Sequence, residues 1–266
     1  MSRMSDTIER ENDLEFPTGP RREVHIHSRA TIAGAPVAYV AMLAAVVAGL
    51  SLIPFSIVLG TGGGTFPLSE ALFALVGVVL GPSAGAVTIL VGRLIGVGFA
   101  PHTAGNGVLS AFCAVIGPIA AGTMCQPGKR WIAPWIFCAL CYAAYVGRAL
   151  TLDVSLRLAL VTTAANWLAL LLWVSPLRLL AVRWLHGPRP VAGLAFITYV
   201  ATTAVNTVNA TVEYFRVGWP AEVWVVLAAL IPLERVGLTA VGTFIGLGVI
   251  RGLRQVNLVK AKEAGY

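Results

Sequence analysis

Charged side chains are scarce in this chain. Asp, Glu, Lys and Arg make up 12% of its 266 residues, about half the share found in soluble globular domains. Hydrophobic residues make up 57% and the mean hydropathy is +0.81. This combination excludes an ordinary soluble domain and predicts an all-α integral membrane protein, which we expect in the cell membrane and surrounded by its lipid bilayer.

Cysteine and histidine are also rare, which limits the case for a metal or redox site. The four cysteines all lie in or beside apolar segments, and we interpret them as small buried hydrophobic residues. Two alternatives stay open, because Cys138 and Cys141 have the spacing of a redox pair and His25 and His27 have that of a metal-binding pair. We predict no metal site and no cofactor.

The chain lacks a Gly-x-x-x-x-Gly-Lys-Ser/Thr phosphate-binding loop, so we expect it to draw on partners for any energy from ATP. The acid–base candidates within apolar segments are Glu70, His102 and Glu234, and they fit no recognisable catalytic motif. We therefore predict that the protein is not an enzyme and has no catalytic residues.

Glycine, in contrast, is abundant in the central stretch from Phe66 to Met124. Gly77, Gly81 and Gly85 recur every four residues, a spacing that lets neighbouring helices in lipid approach closely. Gly81-Pro82, and then Pro101 with Gly105, predict breaks between three helices in this stretch.

Further apolar segments extend this pattern to about eight transmembrane helices, and the first of them is long enough to cross about 30 Å of hydrocarbon. Pro232 predicts a break in the last apolar block, which leaves 223–231 as a short half-helix and places Glu234 and Arg235 in the first turn of the final span. The predicted spans are 34–57, 68–80, 84–100, 106–124, 131–147, 158–174, 191–210 and 233–250.

Basic residues predict the orientation of these helices. The chain has a net charge of +7, and its Lys and Arg residues are dense in the segments 1–30, 129–130, 178–189 and 251–262. With eight crossings and both termini in the cytoplasm, every one of these clusters is cytoplasmic, as the positive-inside rule requires, and only Arg148 and Arg157 depart from it. We interpret this charge as a topology signal and expect no nucleic-acid partner.

Three segments complete the predicted domain organisation. Residues 1–30 are predicted to be a disordered cytoplasmic tail, and their lack of an apolar run argues against a signal peptide. Residues 31–254 form the membrane domain, and residues 255–266 a basic cytoplasmic tail.

Polar residues that apolar helices rarely carry gather at the predicted outer face. We expect them to form a binding pocket for a small-molecule substrate, although Glu70, Arg93, Glu234 and Arg235 could equally be structural ion pairs. The candidates are Glu70, Arg93, His102, Asn106, Asn206, Asn209, Glu213, Tyr214, Glu234 and Arg235.

Two further features have both a functional and a plain interpretation. The loop around Gly62, Gly63 and Gly64 could close over a ligand as a lid or serve as a flexible connector. Ala41, Ala45 and Ala48 give the first span a smooth face, which could meet another subunit or another helix of this chain.

The sequence 66–70 (FPLSE), the run Gly77-x-x-x-Gly81-Pro82-x-x-Gly85 and the alanine-rich first span resemble the substrate-binding S components of energy-coupling factor transporters. The end of the chain, from the IPLER sequence at 231–235 to its basic tail, is similar to the last helix of that family. The resemblance implies uptake of a vitamin-like nutrient together with a transmembrane coupling subunit and a pair of ABC ATPases. It also assigns Ala41, Ala45 and Ala48 to the contact with the coupling subunit.

The family resemblance implies six helices, two fewer than the predicted eight. A hairpin at 131–176 that begins and ends in the cytoplasm accounts for the surplus without reversing any other helix. The Gly-Pro turn followed by the intramembrane Arg93 is also similar to the membrane sensor domains of histidine kinases. A sensor that signals through a separate partner is therefore the alternative function.

Overall fold

The computed structural model describes residues 30–57, 65–255 and 260–266, which form a helical bundle with two short β hairpins. Strands β1 (Thr31–Ile32) and β2 (Ala35–Pro36) form one antiparallel pair, and β3 (Pro54–Ile57) and β4 (Thr65–Pro67) form the other. The helices are α1 (Val37–Leu50), α2 (Phe73–Leu80), α3 (Pro82–Phe99), α4 (Val108–Ala114), α5 (Ile116–Cys125), α6 (Ile132–Leu150), α7 (Leu156–Thr162), α8 (Ala164–Val174), α9 (Leu177–His186), α10 (Pro190–Val217) and α11 (Ala221–Gln255).

In this described part, five helical segments are long and apolar enough to cross a membrane, or six if the bent pair α7–α8 is one span. This is consistent with the predicted all-α multi-pass membrane protein. Two predicted spans contain shorter apolar helices. Helix α1 has 14 residues, and residues 68–80 combine a five-residue 3-10 helix with α2.

Helix α2 lies at the centre of the bundle, and all eight of its residues are buried. Such a helix is apolar on every side because it has no face toward solvent or lipid. Glycine allows its neighbours to approach. A Cβ atom on Gly77 would overlap the backbone of Pro118 in α5, and one on Gly92 in α3 would lie 2.7 Å from the Ala44 carbonyl oxygen of α1. Both predicted helix breaks are present, since α3 begins at Pro82 and ends before Pro101.

The predicted break at Pro232 is wrong. Helix α11 has 35 residues and continues through Pro232 without a break. The expected half-helix at 223–231 and the expected final span therefore belong to one helix. Glu234 and Arg235 consequently lie well inside this helix, and not in its first turn. A proline removes one backbone donor but leaves the helix continuous where packing holds both sides in place.

Three further expectations are corrected. Residues 54–57, predicted as the end of the first span, form strand β3, and the predicted span 158–174 bends by 66° between α7 and α8. At the bend, the Thr163 hydroxyl donates to the Ala159 carbonyl oxygen at 2.7 Å, a local bond that favours bending. The basic segment after residue 177, predicted as a loop, contains helix α9, whose Arg178 guanidinium lies 4.4 Å from the Trp131 ring centre.

The bundle has two distinct ends. At the first, which we call the hairpin end, the Thr65 hydroxyl donates to the His102 carbonyl oxygen at 3.2 Å, and strands β3–β4 lie beside the α3–α4 connection. At the second, the basic end, the Lys262 amide donates to the Gly34 carbonyl oxygen at 3.0 Å and the Gly265 amide to that of Val78 at 2.7 Å. The basic residues gathered there are Lys129, Arg130, Arg178, Arg183, Arg189, Arg251, Arg254, Lys260 and Lys262.

Candidate functional site

A buried ion-paired cluster joins α11 to the 3-10 helix that precedes α2. The Arg235 guanidinium donates to Glu70 Oε2 at 3.5 Å, to Glu234 Oε2 at 3.2 Å and to the Thr202 carbonyl oxygen of α10 at 2.9 Å. Its side chain is 1% exposed. The pairing satisfies one oxygen of each carboxylate, so Glu70 and Arg235 have a structural role whether or not a ligand reaches them.

A second buried network surrounds Arg93. Its guanidinium donates to the hydroxyls of Ser51 at 3.4 Å and Ser110 at 3.3 Å, and Ser51 and Ser69 are hydrogen-bonded at 2.9 Å. These bonds join α1, α3, α4 and the 3-10 helix that carries Glu70. Sequence reasoning missed the serines because a lone serine in an apolar helix has no distinguishing spacing.

A narrow cleft opens at the hairpin end, between α6, α10, α11 and the β3–β4 hairpin. About 370 Å³ of space, part of it open to solvent, lies between its lining residues, and the centre of a water molecule can occupy only about 30 Å³ of it. The predicted residues Asn206, Glu213 and Glu234 supply its polar side chains. The other lining residues are Ile57, Phe66, Tyr145, Ala210, Trp219, Leu227, Leu230 and Ile231.

Several buried polar atoms of this cleft have no hydrogen-bond partner among the described residues. Two are acceptors, Glu213 Oε1 and Glu234 Oε1, and two are donors, Asn206 Nδ2 and Trp219 Nε1. The Tyr145 hydroxyl is unpartnered as well, and all five side chains belong to buried residues. A buried polar group without a partner is costly, so this concentration in one cleft points to a bound ligand or ordered water.

Aromatic rings pack closely behind the cleft. Tyr145 stacks on Trp224 with ring centres 5.0 Å apart, and Tyr214 stacks on Trp219 at 5.4 Å. Tyr214 also meets both Tyr145 and Trp224 edge to face, so the four rings form one cluster. This cluster fixes the α10–α11 connection, where the Tyr214 hydroxyl donates to the Trp219 carbonyl oxygen at 3.3 Å.

The remaining candidate residues lie outside the cleft. Asn106 Nδ2 donates to the Asn209 carbonyl oxygen at 3.2 Å, and Asn106 Oδ1 accepts from Arg216 Nη1 at 3.2 Å. This bridge ties the start of α4 to the end of α10. His102 is exposed at the hairpin end, and its carbonyl oxygen, not its ring, accepts from Thr65.

The predicted lid and subunit-contact residues occupy different parts of the molecule. Gly62, Gly63 and Gly64 lie outside the described residues, but Ile57 and Phe66, on the strands that lead into and out of this loop, line the cleft. On α1, Ala44 is buried against α3, whereas Ala41 and Ala45 are exposed and Ala48 is partly exposed. The alanine face that the sequence singled out is therefore turned away from the bundle.

Two cleft residues with unpartnered polar atoms were not among the sequence candidates. Tyr145 lies in α6, within the predicted inserted hairpin, and Trp219 lies in the connection between α10 and α11. The predicted helical hairpin at 131–176 is also hydrogen-bonded to the rest of the bundle, since Asn166 Nδ2 donates to Thr207 Oγ1 of α10 at 2.8 Å. Tyr145 is an aromatic residue in an apolar helix, and such a residue is normally core or lipid-facing, so its position carried no signal in the sequence.

Comparisons with models of protein families, with curated proteins and with solved structures find no match to this chain. Function is therefore inferred from the residues of the cleft and from their surroundings.

Proposed function

We propose that this protein is the substrate-capture subunit of an uptake system for a small, water-soluble nutrient. In this proposal it crosses the membrane eight times with both termini in the cytoplasm, so that the cleft opens outward and the basic end faces inward. The observation that carries it is the cleft itself, whose lining residues include five buried side chains with unpartnered polar atoms at one end of the helical bundle.

Capture requires the cleft to widen. Most small-molecule sites enclose about 300 Å³ or more, whereas only about 30 Å³ of this cleft admits a water molecule. Ile57 and Phe66 of the β3–β4 hairpin line one side of the cleft, so outward movement of this hairpin would admit the substrate and its return would close the site. The loop thus serves as the lid in the proposed mechanism.

Release toward the cytoplasm needs a partner in this proposal. A transmembrane coupling subunit and two ABC-type ATPases would supply the energy, since the sequence carries no phosphate-binding loop. The exposed Ala41 and Ala45 on α1 support a docking surface for this subunit, because small side chains allow helices to approach closely in lipid.

The docking surface gives a direct prediction. Replacing Ala45 by tryptophan is expected to reduce co-purification with the coupling subunit by about tenfold, which corresponds to about 1.4 kcal/mol of lost contact. Co-expression with coupling subunits and ATPases, followed by affinity purification and native mass spectrometry, measures the fraction in complex. Ala143, an exposed alanine on α6, provides the matched control as Ala143→Trp.

The same preparation tests the proposed function as a whole. ATP-dependent accumulation of the co-purified small molecule in cells supports an importer. Ligand binding without any coupling partner and without accumulation would instead favour a membrane sensor. Equal complex formation by Ala45→Trp and Ala143→Trp would show that α1 is not the docking surface.

A further inference from the structure

The buried charges beside the cleft do not balance. Glu70, Glu213 and Glu234 supply three carboxylates, whereas Arg93 and Arg235 supply two guanidinium groups, and all five residues are at most 6% exposed. Arg216 is the nearest further cation on α10, but it is exposed and donates to Asn106. One negative charge therefore remains uncompensated among the buried groups when all five are ionised.

The unpartnered carboxylate oxygens locate this charge in the cleft. Glu234 lines the cleft, and its Oε1 has no partner while its Oε2 accepts from Arg235; Glu213, on the neighbouring helix α10, also lines the cleft and has an unpartnered Oε1. An isolated carboxylate is expensive to bury, and a bound cation with N–H donors removes both the charge and the missing hydrogen bonds.

The rest of the lining suits an organic cation. Tyr145 and Trp219 place aromatic rings beside the carboxylates, and Leu227, Leu230 and Ile231 supply an aliphatic wall. Aromatic faces attract cations within about 6 Å of the ring centre, and the aliphatic wall accepts the carbon body of a ligand.

A bare metal ion fits these groups poorly. Among the described residues there is no group of three or more His, Cys, Asp and Glu side chains that could hold a metal ion, whereas Ca²⁺ takes six to eight oxygen ligands. Asn206 Nδ2 and Trp219 Nε1 are donors, and donors face a hydroxyl or carbonyl oxygen of a ligand more favourably than a metal ion.

We propose that the cleft binds the ammonium group of a small primary amine, with Glu213 and Glu234 as its two carboxylate acceptors and Tyr145 and Trp219 beside it. This proposal rests on the proposed capture function and specifies its substrate class. Asn206 and Trp219 would donate to an oxygen carried by the same molecule.

The test measures ligand-dependent thermal unfolding of the full chain purified in detergent. The probes are ethanolamine and propylamine, compared with the uncharged ethylene glycol and 1-propanol, with tetramethylammonium, which has the charge but no N–H donor, and with NaCl. Among these probes, we expect only the two primary amines to raise the unfolding temperature, because a ligand that binds only the folded state stabilises it.

Three variants assign the effect to the cleft. Glu213→Gln and Glu234→Gln each remove one charged acceptor and are expected to weaken amine binding by about tenfold or more. Glu222→Gln changes an exposed carboxylate in the first turn of α11 and should bind amines as the unchanged protein does. If either cleft variant fails to fold, direct binding of the amine to the unchanged protein, measured by calorimetry, still decides.

Other outcomes would overturn the proposal. An equal shift with NaCl would identify an inorganic cation site, and an equal shift with tetramethylammonium would exclude N–H recognition. No shift with any amine, or amine binding that both cleft variants retain, would reject it as well. Complex formation with a coupling subunit does not depend on these results, so a failed amine test leaves the capture function to be judged by its own experiment.

Discussion

Replacing Gly77 by alanine is expected to lower the free energy of unfolding by about 3 kcal/mol. The added Cβ atom would lie 2.7 Å from the Cα atom of Pro118 and 2.9 Å from its carbonyl carbon. These are backbone atoms of a helix, so they cannot rotate aside as a side chain would, and α2 and α5 must separate. Titration of the purified protein with SDS in mixed micelles measures the loss.

The control for this prediction lies in the neighbouring helix. Gly98 in α3 has no atom within 4 Å of an added Cβ, and alanine is a better helix former than glycine by about 1 kcal/mol. Gly98→Ala should therefore leave stability unchanged or raise it slightly. Similar losses for Gly77→Ala and Gly98→Ala would show that the α2–α5 contact is looser than described.

Replacing Arg235 by methionine is expected to destabilise the protein by about 3–5 kcal/mol, enough to abolish most folded protein. The change leaves Glu70 and Glu234, which are 2% and 6% exposed, without the guanidinium that compensates them. It also removes the donor to the Thr202 carbonyl oxygen of α10. The yield of monodisperse protein after gel filtration and its thermal unfolding report the effect.

A compensating variant separates this charge effect from lost packing. Glu70→Gln with Glu234→Gln in the Arg235→Met background removes the stranded carboxylates and should recover much of the folded yield, because neutral amides are cheaper to bury. Arg157→Gln, at an exposed position, should have no effect. If the triple variant were as unstable as Arg235→Met alone, packing and not charge would hold the cluster together.

Much of the helical layout could be predicted because local chemistry determines it. Gly81 has a φ angle of 85°, which favours glycine, and Pro82 opens the next helix. Both features are visible in the sequence. Pro232 has the same local signature as a helix breaker, yet α11 passes through it, because tertiary packing overrides a single missing donor.

The candidate site was less predictable because its members meet only through tertiary packing. Asn206, Glu213 and Glu234 are conspicuous as polar residues in apolar helices, and the structure brings them to one cleft. Asn106 and Asn209 are equally conspicuous in the sequence but lie outside the cleft, where the Asn106 side chain donates to the Asn209 carbonyl oxygen. Tyr145 lies more than sixty positions before Glu213, and nothing in the sequence indicates that α6 packs against α10 so that these two residues line the same cleft.

Helix α11 is long and contains a proline, so a small change of angle at the proline would move its far end by a large distance. Pro232 has no N–H to donate to the carbonyl oxygen of Ala228, so the helix lacks one backbone hydrogen bond beside the cleft residues Ile231 and Glu234. Arg254 lies about 33 Å beyond this point at about 1.5 Å per residue, and its guanidinium donates to the Leu185 carbonyl oxygen at the basic end. A bend of about 10° at Pro232 would therefore displace the far end of the helix by roughly 6 Å, slightly more than the rise of one helical turn.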